Sequence, residues 1–172
     1  MKGQITMSAI FERRSIRKYE DKPIPEEMVE TLLKAAMVAP SANDERPWQF
    51  VVINDNGILT TLSEVHLYGK MLPHCPVAIL VCADMSRLKH DCFWPQDCSA
   101  ATENILICAT ELKLGAVWLA VYPREERMLK YKEVLGLPDN IVPFATIPVG
   151  YPAEEKHPAD RFEPERVHHN KW

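Results

Sequence analysis

The chain has 172 residues, 47% hydrophobic and 26% charged, with a net charge of −4 and a pI near 5.9. These are values of an ordinary soluble globular protein, and they speak against a nucleic-acid binder, which at this size is usually basic overall. No apolar run approaches the length of a membrane span, and Met1-Lys2-Gly3-Gln4 leads into no apolar signal region, so one domain over residues 1–172 in the cytoplasm is expected.

A short helical turn is expected over Ser8 to Glu12, followed at once by Arg13-Arg14-Ser15-Ile16-Arg17-Lys18-Tyr19. Three arginines, a lysine and a serine hydroxyl in seven residues suit a phosphate and a second electron-rich group. The reason is geometric: the planar guanidinium fork gives paired, charge-assisted hydrogen bonds to phosphate oxygens. The alternative for such a run is a solvated basic turn.

Pro25 fits a first helical position, Glu26 and Glu27 complement the helix dipole, and Met28, Val29, Leu32, Leu33, Ala36 and Met37 form one apolar stripe that Pro40 stops. The polar stretch from Pro40 to Trp48 reads as a loop, Gln49 to Ile53 as a strand, Asn54 to Gly57 as a turn and Ile58 to Val65 as a short helix. Val77 to Cys82, Ala116 to Val121 and Phe144 to Val149 are continuous apolar runs, the pattern of strands covered on both faces. Pro95 to Leu114 reads as a long helix whose centre, Ile105 to Ala109, is apolar all round and should be buried in the chain or against a second protomer. Gly115 is placed to end it in a left-handed cap. Arg124 to Leu135 is a charged amphipathic helix, with Glu126 and Lys130 at favourable spacing and Gly136 and Pro138 closing it. Beyond Gly150 the chain is polar and proline-rich. A helix-rich order with four or five short strands gives an α+β layer arrangement rather than regular βαβ alternation.

Five cysteines without a C-x-x-C pair argue against a disulfide framework and for a reducing compartment. His74, Cys75, His90, Cys92 and Cys98 fit no zinc spacing, and no metal site is expected. Neither G-x-G-x-x-G nor G-x-x-x-x-G-K-[ST] occurs, so no Rossmann fingerprint or Walker A loop is present. Asp84 reads as a loop cap and Trp118 as a packing residue that could also wall a site.

The basic segment, then Pro40-Ser41-Ala42-Asn43, Pro47-Trp48-Gln49-Phe50, Gly69-Lys70-Met71-Leu72, Leu114-Gly115-Ala116-Val117-Trp118-Leu119, Pro148-Val149-Gly150-Tyr151-Pro152 and Arg161 resemble, in order, the landmarks of the FMN-dependent nitroreductase family. The resemblance covers nearly the whole chain. It implies a three-layer α+β sandwich, with a central, mainly antiparallel sheet flanked by helices. It further implies an intertwined homodimer, with residues 151–172 as a tail over the partner.

On the same resemblance, FMN would lie at the subunit interface and NADH or NADPH would be a transient donor. Arg13 and Ser15, with Arg14 beside them, would meet the phosphate and ribityl chain, and Arg17 the pyrimidine edge of the ring. Pro40, Ser41, Ala42 and Asn43 would come from the other subunit. Backbone groups of Val117, Trp118 and Leu119 would face the ring, and Arg161 would complete the phosphate clamp. The family often has an amide shortly before the second strand, in the neighbourhood that Tyr68, Gly69 and Lys70 occupy here, and Lys70 could substitute for it. A basic residue is also common at the position of Ala159, so phosphate binding would rest on Arg161 or borrow Lys156. The implied activity is hydride transfer from NAD(P)H through FMN to a nitroaromatic, quinone or related conjugated acceptor, with no catalytic acid or base from the protein. Reductive dehalogenation, flavin breakdown and FMN storage without turnover stay open.

Overall fold

The computed structural model describes residues 8–90 and 92–172, so the Met1-Lys2-Gly3-Gln4 stretch lies outside the described residues. Five helices and five strands follow in the order α1 (Ser8–Glu12), α2 (Glu26–Met37), β1 (Trp48–Ile53), α3 (Asn56–Val65), β2 (Val77–Asp84), α4 (Trp94–Glu111), β3 (Gly115–Ala116), β4 (Leu119–Ala120), α5 (Glu125–Leu135) and β5 (Ile141–Gly150) among the described residues. The strands form one sheet in the order β1-β2-β5-β3, with β4 also on β5, and every strand pair is antiparallel.

Alternation along β2 builds two cores. Val77, Ile79, Val81 and Ala83 pack with Leu32 and Ala36 of α2 and Ile105 of α4. Ala78, Leu80 and Cys82 point the other way, onto Leu59 and Leu62 of α3 and Tyr131 of α5. The sheet is therefore covered on both faces, which is why its central strands carry no polar alternation. Each fully buried Leu or Ile of this kind contributes about 1.5–3 kcal/mol by leaving water. Pro143, which has no N–H to give a ladder, sits beside the register shift between β2 and β5 at Val81 and Cys82.

The structure corrects several local expectations. The run from Ala116 to Val121 is not one strand. Gly115 and Ala116 pair with Gly150 and Val149, and Leu119 and Ala120 pair in the same register with Thr146 and Ala145. Val117 and Trp118 stand between these two short ladders. Gly115 does not cap α4: the left-handed residue is Lys113, at φ 59°, and the Leu114 N–H closes the helix on Ala109 O at 2.7 Å. What Gly115 supplies is space, since a Cβ there would stand 2.6 Å from Ile16 Cγ2.

Helix α3 starts at Asn56, earlier than expected, because the Asp55 carboxylate accepts the Ile58 N–H at 2.9 Å and caps it. Pro25 stands at the cap of α2 rather than inside it. Lys130 pairs with Glu133 at 2.8 Å instead of Glu126. Gly136 ends α5 at φ 61°, as expected. Asp84 does cap its loop, accepting from Ser86 N–H and Oγ and from Asn140 Nδ2. At the centre of α4, Ile105, Leu106 and Ala109 are buried while Ile107 and Cys108 are only half-buried, so burial there is one-sided within the chain.

Candidate functional site

The basic segment is built onto the edge of the sheet. Ser15 bridges Ala116 in parallel, and the Ile16 N–H donates to Ala116 O at 3.0 Å. Two glycines let the segment lie this close. Gly115 makes room for Ile16, and at Gly150 a Cβ would fall 2.8 Å from Tyr19 Cδ1. Tyr19 Oη donates to the carbonyls of Ile16 (2.7 Å) and Pro148 (3.2 Å), and its burial pushes the phenol well above its ordinary pKa.

The first residues of the tail then run along the segment's outer side. Tyr19 bridges Pro152, the Glu20 N–H donates to Tyr151 O, and the Ala153 N–H donates to Lys18 O at 2.9 Å. Glu154 Oε1 accepts the Arg17 N–H at 2.5 Å, and this bond, helped by Lys156, holds its carboxyl below the ordinary range. Lys156 Nζ donates to Ser15 O at 2.5 Å and lies 3.3 Å from Glu154 Oε1. Arg14 Nε donates to His157 O and its Nη1 to Arg13 O, while its Nη2 is buried and has no hydrogen-bond partner among the described residues.

A cavity of about 1010 Å³ opens beside this segment. Arg17 lines it from one side, and Trp118, Leu119 and Tyr122 form its apolar wall. Leu67 and Tyr68, which follow α3, also line it, as do Arg124 just before α5 and Arg127 in its first turn. His66 lies buried in the wall. Its Nε2 is 2.9 Å from Ala120 O and its Nδ1 accepts the Tyr68 N–H, so the ring is neutral with the proton on Nε2. Burial pushes His66 below its ordinary value, which agrees with that assignment. Ala120 O also accepts from Arg127 Nη1 at 2.6 Å, so one carbonyl ties α3, β4 and α5 together.

The residues expected to bind together divide into three places. Arg17, Trp118 and Leu119 share the cavity, with Arg14 and Ser15 on the same basic segment and Val117 buried behind it. Arg13 ends α1, and its Nε lies 3.2 Å from Glu103 Oε1 of α4. Lys70 is exposed and does not line the cavity; its neighbours Leu67 and Tyr68 do.

The second place is the Pro40–Asn43 loop, which no part of this cavity touches within one chain. It is anchored elsewhere: the buried Asp97 of α4 accepts the Ala42 N–H at 2.9 Å. The third is Arg161, exposed on the tail, without a side-chain hydrogen bond or ion pair among the described residues. From residue 155 onward every tail residue is exposed, including Phe162, Val167 and Trp172.

Sequence reasoning missed His66, Tyr122 and Arg127 as wall residues, and Asp97 and Glu154 as anchors. The i,i+3 pair Arg124 and Arg127 was a visible signal. The anchors had none, because each acts on chain far away in sequence.

The donor set fits a ligand that carries a phosphate and an aromatic ring with an electron-rich edge. The unpartnered, buried Arg14 Nη2 requires an acceptor oxygen, and a guanidinium and an aromatic wall share one cavity. Among the described residues no group of three or more His, Cys, Asp or Glu could hold a metal, and no helix is long and apolar enough to cross a membrane.

The nitroreductase family model matches residues 10–65 and 59–151. A protein of Archaeoglobus fulgidus with the provisional name NADH dehydrogenase/NAD(P)H nitroreductase is 52% identical over 171 residues, covering 96% of this chain and 98% of its own. The crystal structure of a Clostridium acetobutylicum protein provisionally named NADH oxidase is 45% identical with a TM-score of 0.93, over 95% of this chain and 99% of that one. A provisionally named nitroreductase of Desulfovibrio desulfuricans, solved in complex with FMN, is 30% identical with a TM-score of 0.83, covering 98% of both chains. By the family match over most of its length and by these relatives in sequence and fold, this chain belongs to the nitroreductase family.

Proposed function

We propose that this chain is an NAD(P)H-dependent flavin oxidoreductase that binds FMN and reduces conjugated acceptors such as nitroaromatics or quinones. The observation that carries the reading is the basic segment itself. It holds a buried guanidinium nitrogen with no partner at Arg14 and presents Arg17 to a cavity walled by Trp118 and Tyr122. FMN, when bound, supplies the hydride chemistry.

The chain's own residues bind, orient and tune. Arg14 and Ser15 would hold the phosphate end, with Arg13 beside them and paired with Glu103. Arg17, always protonated, would place a fixed positive charge beside the electron-rich edge of the ring. Trp118 and Tyr122 would exclude water from one side of the cavity. The active form would be a homodimer, in which the Pro40–Asn43 loop and Arg161 reach the partner's site; their lack of any role in their own chain's cavity supports this.

The test is the visible absorbance of the purified protein with FMN, followed by NADH or NADPH added without oxygen. A flavin band that bleaches with one donor supports the reading and names that donor. A protein that takes up no FMN overturns it.

A further inference from the structure

We propose that Glu154 is the positioning residue of the cofactor site, a carboxylate that fixes the Arg17 main chain and, through Lys156, sets the course of the tail toward Arg161. The proposal rests on the FMN reading above and goes beyond it by assigning residues that bind no ligand themselves.

The argument begins with unpaired main chain. The inner edge of the basic segment bonds to Ala116 through the Ile16 N–H. The Arg17 N–H faces the other way, toward the tail. Main-chain pairing with the tail reaches only as far as the Ala153 N–H on Lys18 O. At the next position a side chain takes over from the ladder: Glu154 Oε1 accepts the Arg17 N–H at 2.5 Å. A main-chain donor left without an acceptor here would loosen the arginine that the basic segment gives to the cavity lining.

The same oxygen lies 3.3 Å from Lys156 Nζ, and that ammonium donates to Ser15 O at 2.5 Å. Glu154 and Lys156 thus grip the segment at Ser15 and Arg17, on both sides of the Ile16 that packs on Gly115. Their side chains are only 20% and 34% exposed, so the pair is better shielded than the chain's surface ion pairs. Lys156 is committed to this strut, which leaves the phosphate to the arginines. One more anchor follows before the stretch that carries Arg161, the His157 carbonyl accepting from Arg14 Nε, so Lys156 and Arg14 together set the direction of that stretch. Charge matters separately from geometry. A carboxylate beside Arg17 offsets part of the positive field that the ring's electron-rich edge would feel.

The test uses the full-length chain, stripped of flavin, with three variants: Glu154→Ala, Glu154→Gln and Lys156→Met. Glu154→Ala removes both the acceptor and the charge, and FMN affinity measured by fluorescence titration should fall about tenfold. Glu154→Gln keeps an oxygen for the Arg17 N–H, so affinity should stay within about threefold of wild type. Its bound flavin should show a midpoint potential shifted to the positive side, because a negative charge has gone. Lys156→Met should weaken FMN less than Glu154→Ala does. A role in stability alone predicts neither the rescue by Gln nor the change in potential.

Wild-type affinity in Glu154→Ala, or an unchanged potential in Glu154→Gln, overturns the proposal. Should Glu154→Ala fail to fold, the Gln potential decides. If the wild-type chain takes up no FMN, the oxidoreductase reading fails instead. Exchange of the Arg17 amide then tests the anchor alone, protected in wild type and Gln and fast in any folded Glu154 variant lacking the acceptor.

Discussion

Two stretches of this chain are alike in sequence and opposite in construction. Arg13–Tyr19 and Pro40–Arg46 are both short, polar and charged, and each follows a helix, α1 and α2 respectively. The first is held from two sides by main chain, Ala116 inside and Tyr151–Ala153 outside, with its backbone relaxed. The second carries left-handed residues at Asn43, Asp44 and Arg46, with φ of 51°, 56° and 48°. Its anchor in the core is a single carboxylate, Asp97. Left-handed conformations cost a non-glycine residue roughly 1–2 kcal/mol. The basic segment is therefore a fixed rail, and the loop is a strained clip with one catch in the core, Asp97, and a surface bond from Arg87 Nε to Arg46 O. A ligand that contacts both would find one side preset and the other dependent on a buried charge.

The largest expected effect breaks the rail. Gly115→Val places a branched side chain where Ile16 already lies 2.6 Å from a Cβ, and overpacking of this kind costs about 1–3 kcal/mol or more. Urea unfolding should show that loss, and FMN binding should weaken with it because the segment is pushed off the sheet. A variant of full stability would mean that the close approach has little energetic weight.

Next comes the catch. Asp97→Ala leaves the Ala42 N–H without its acceptor and should destabilise by about 1–2 kcal/mol, with faster exchange at the Ala42 amide and no change at Ile16. Equal changes at both amides would erase the distinction between the two stretches.

A smaller effect separates both stretches from the cavity wall. His66 is buried neutral and its pKa is lowered, so the unfolded chain binds the proton more readily than the folded one. Stability should hold above about pH 6.5 and decline as the pH falls below it, and His66→Asn should flatten that slope between pH 6.5 and 5. An unchanged slope would mean that the ring takes a proton on Nδ1 at no cost to its contact with the Tyr68 N–H. The smallest effect is expected at the loop's exposed Asp44–Arg46 ion pair: Arg46→Ala should leave the unfolding midpoint unchanged within error, in contrast to Asp97→Ala. A clear loss would move the catch from the core to the surface.

The same contrast explains what could be read from the sequence. The apolar stripe from Met28 to Met37, the unbroken run from Val77 to Cys82 and the Gly136 cap are local signals, and each produced the element it implied. The segment Arg13–Tyr19 was legible as chemistry because arginine density is visible without a fold. The break at Val117 and Trp118 was not, since all residues from Ala116 to Val121 suit a strand; the ladder is lost because of how β5 is met on either side. Lys113 took the left-handed cap that Gly115 suited by type, because Gly115 was needed where Ile16 crosses. Glu154 and Asp97 look like ordinary surface acids in sequence. Only the packed fold shows that each meets a main-chain N–H, 137 and 55 residues away respectively.

That 137-residue span has a bearing on how the protein is made. Synthesis delivers the basic segment well before its outer partner, Tyr151 to His157. All the strands and the helices that cover them can emerge and pack while the arginines still lack one of their two supports. Contacts of such sequence separation are also the slow ones to close during refolding. The site is thus completed at the end of assembly, and a nascent chain ending at Gly150 would own every strand of the sheet yet lack the strap that sets Arg17.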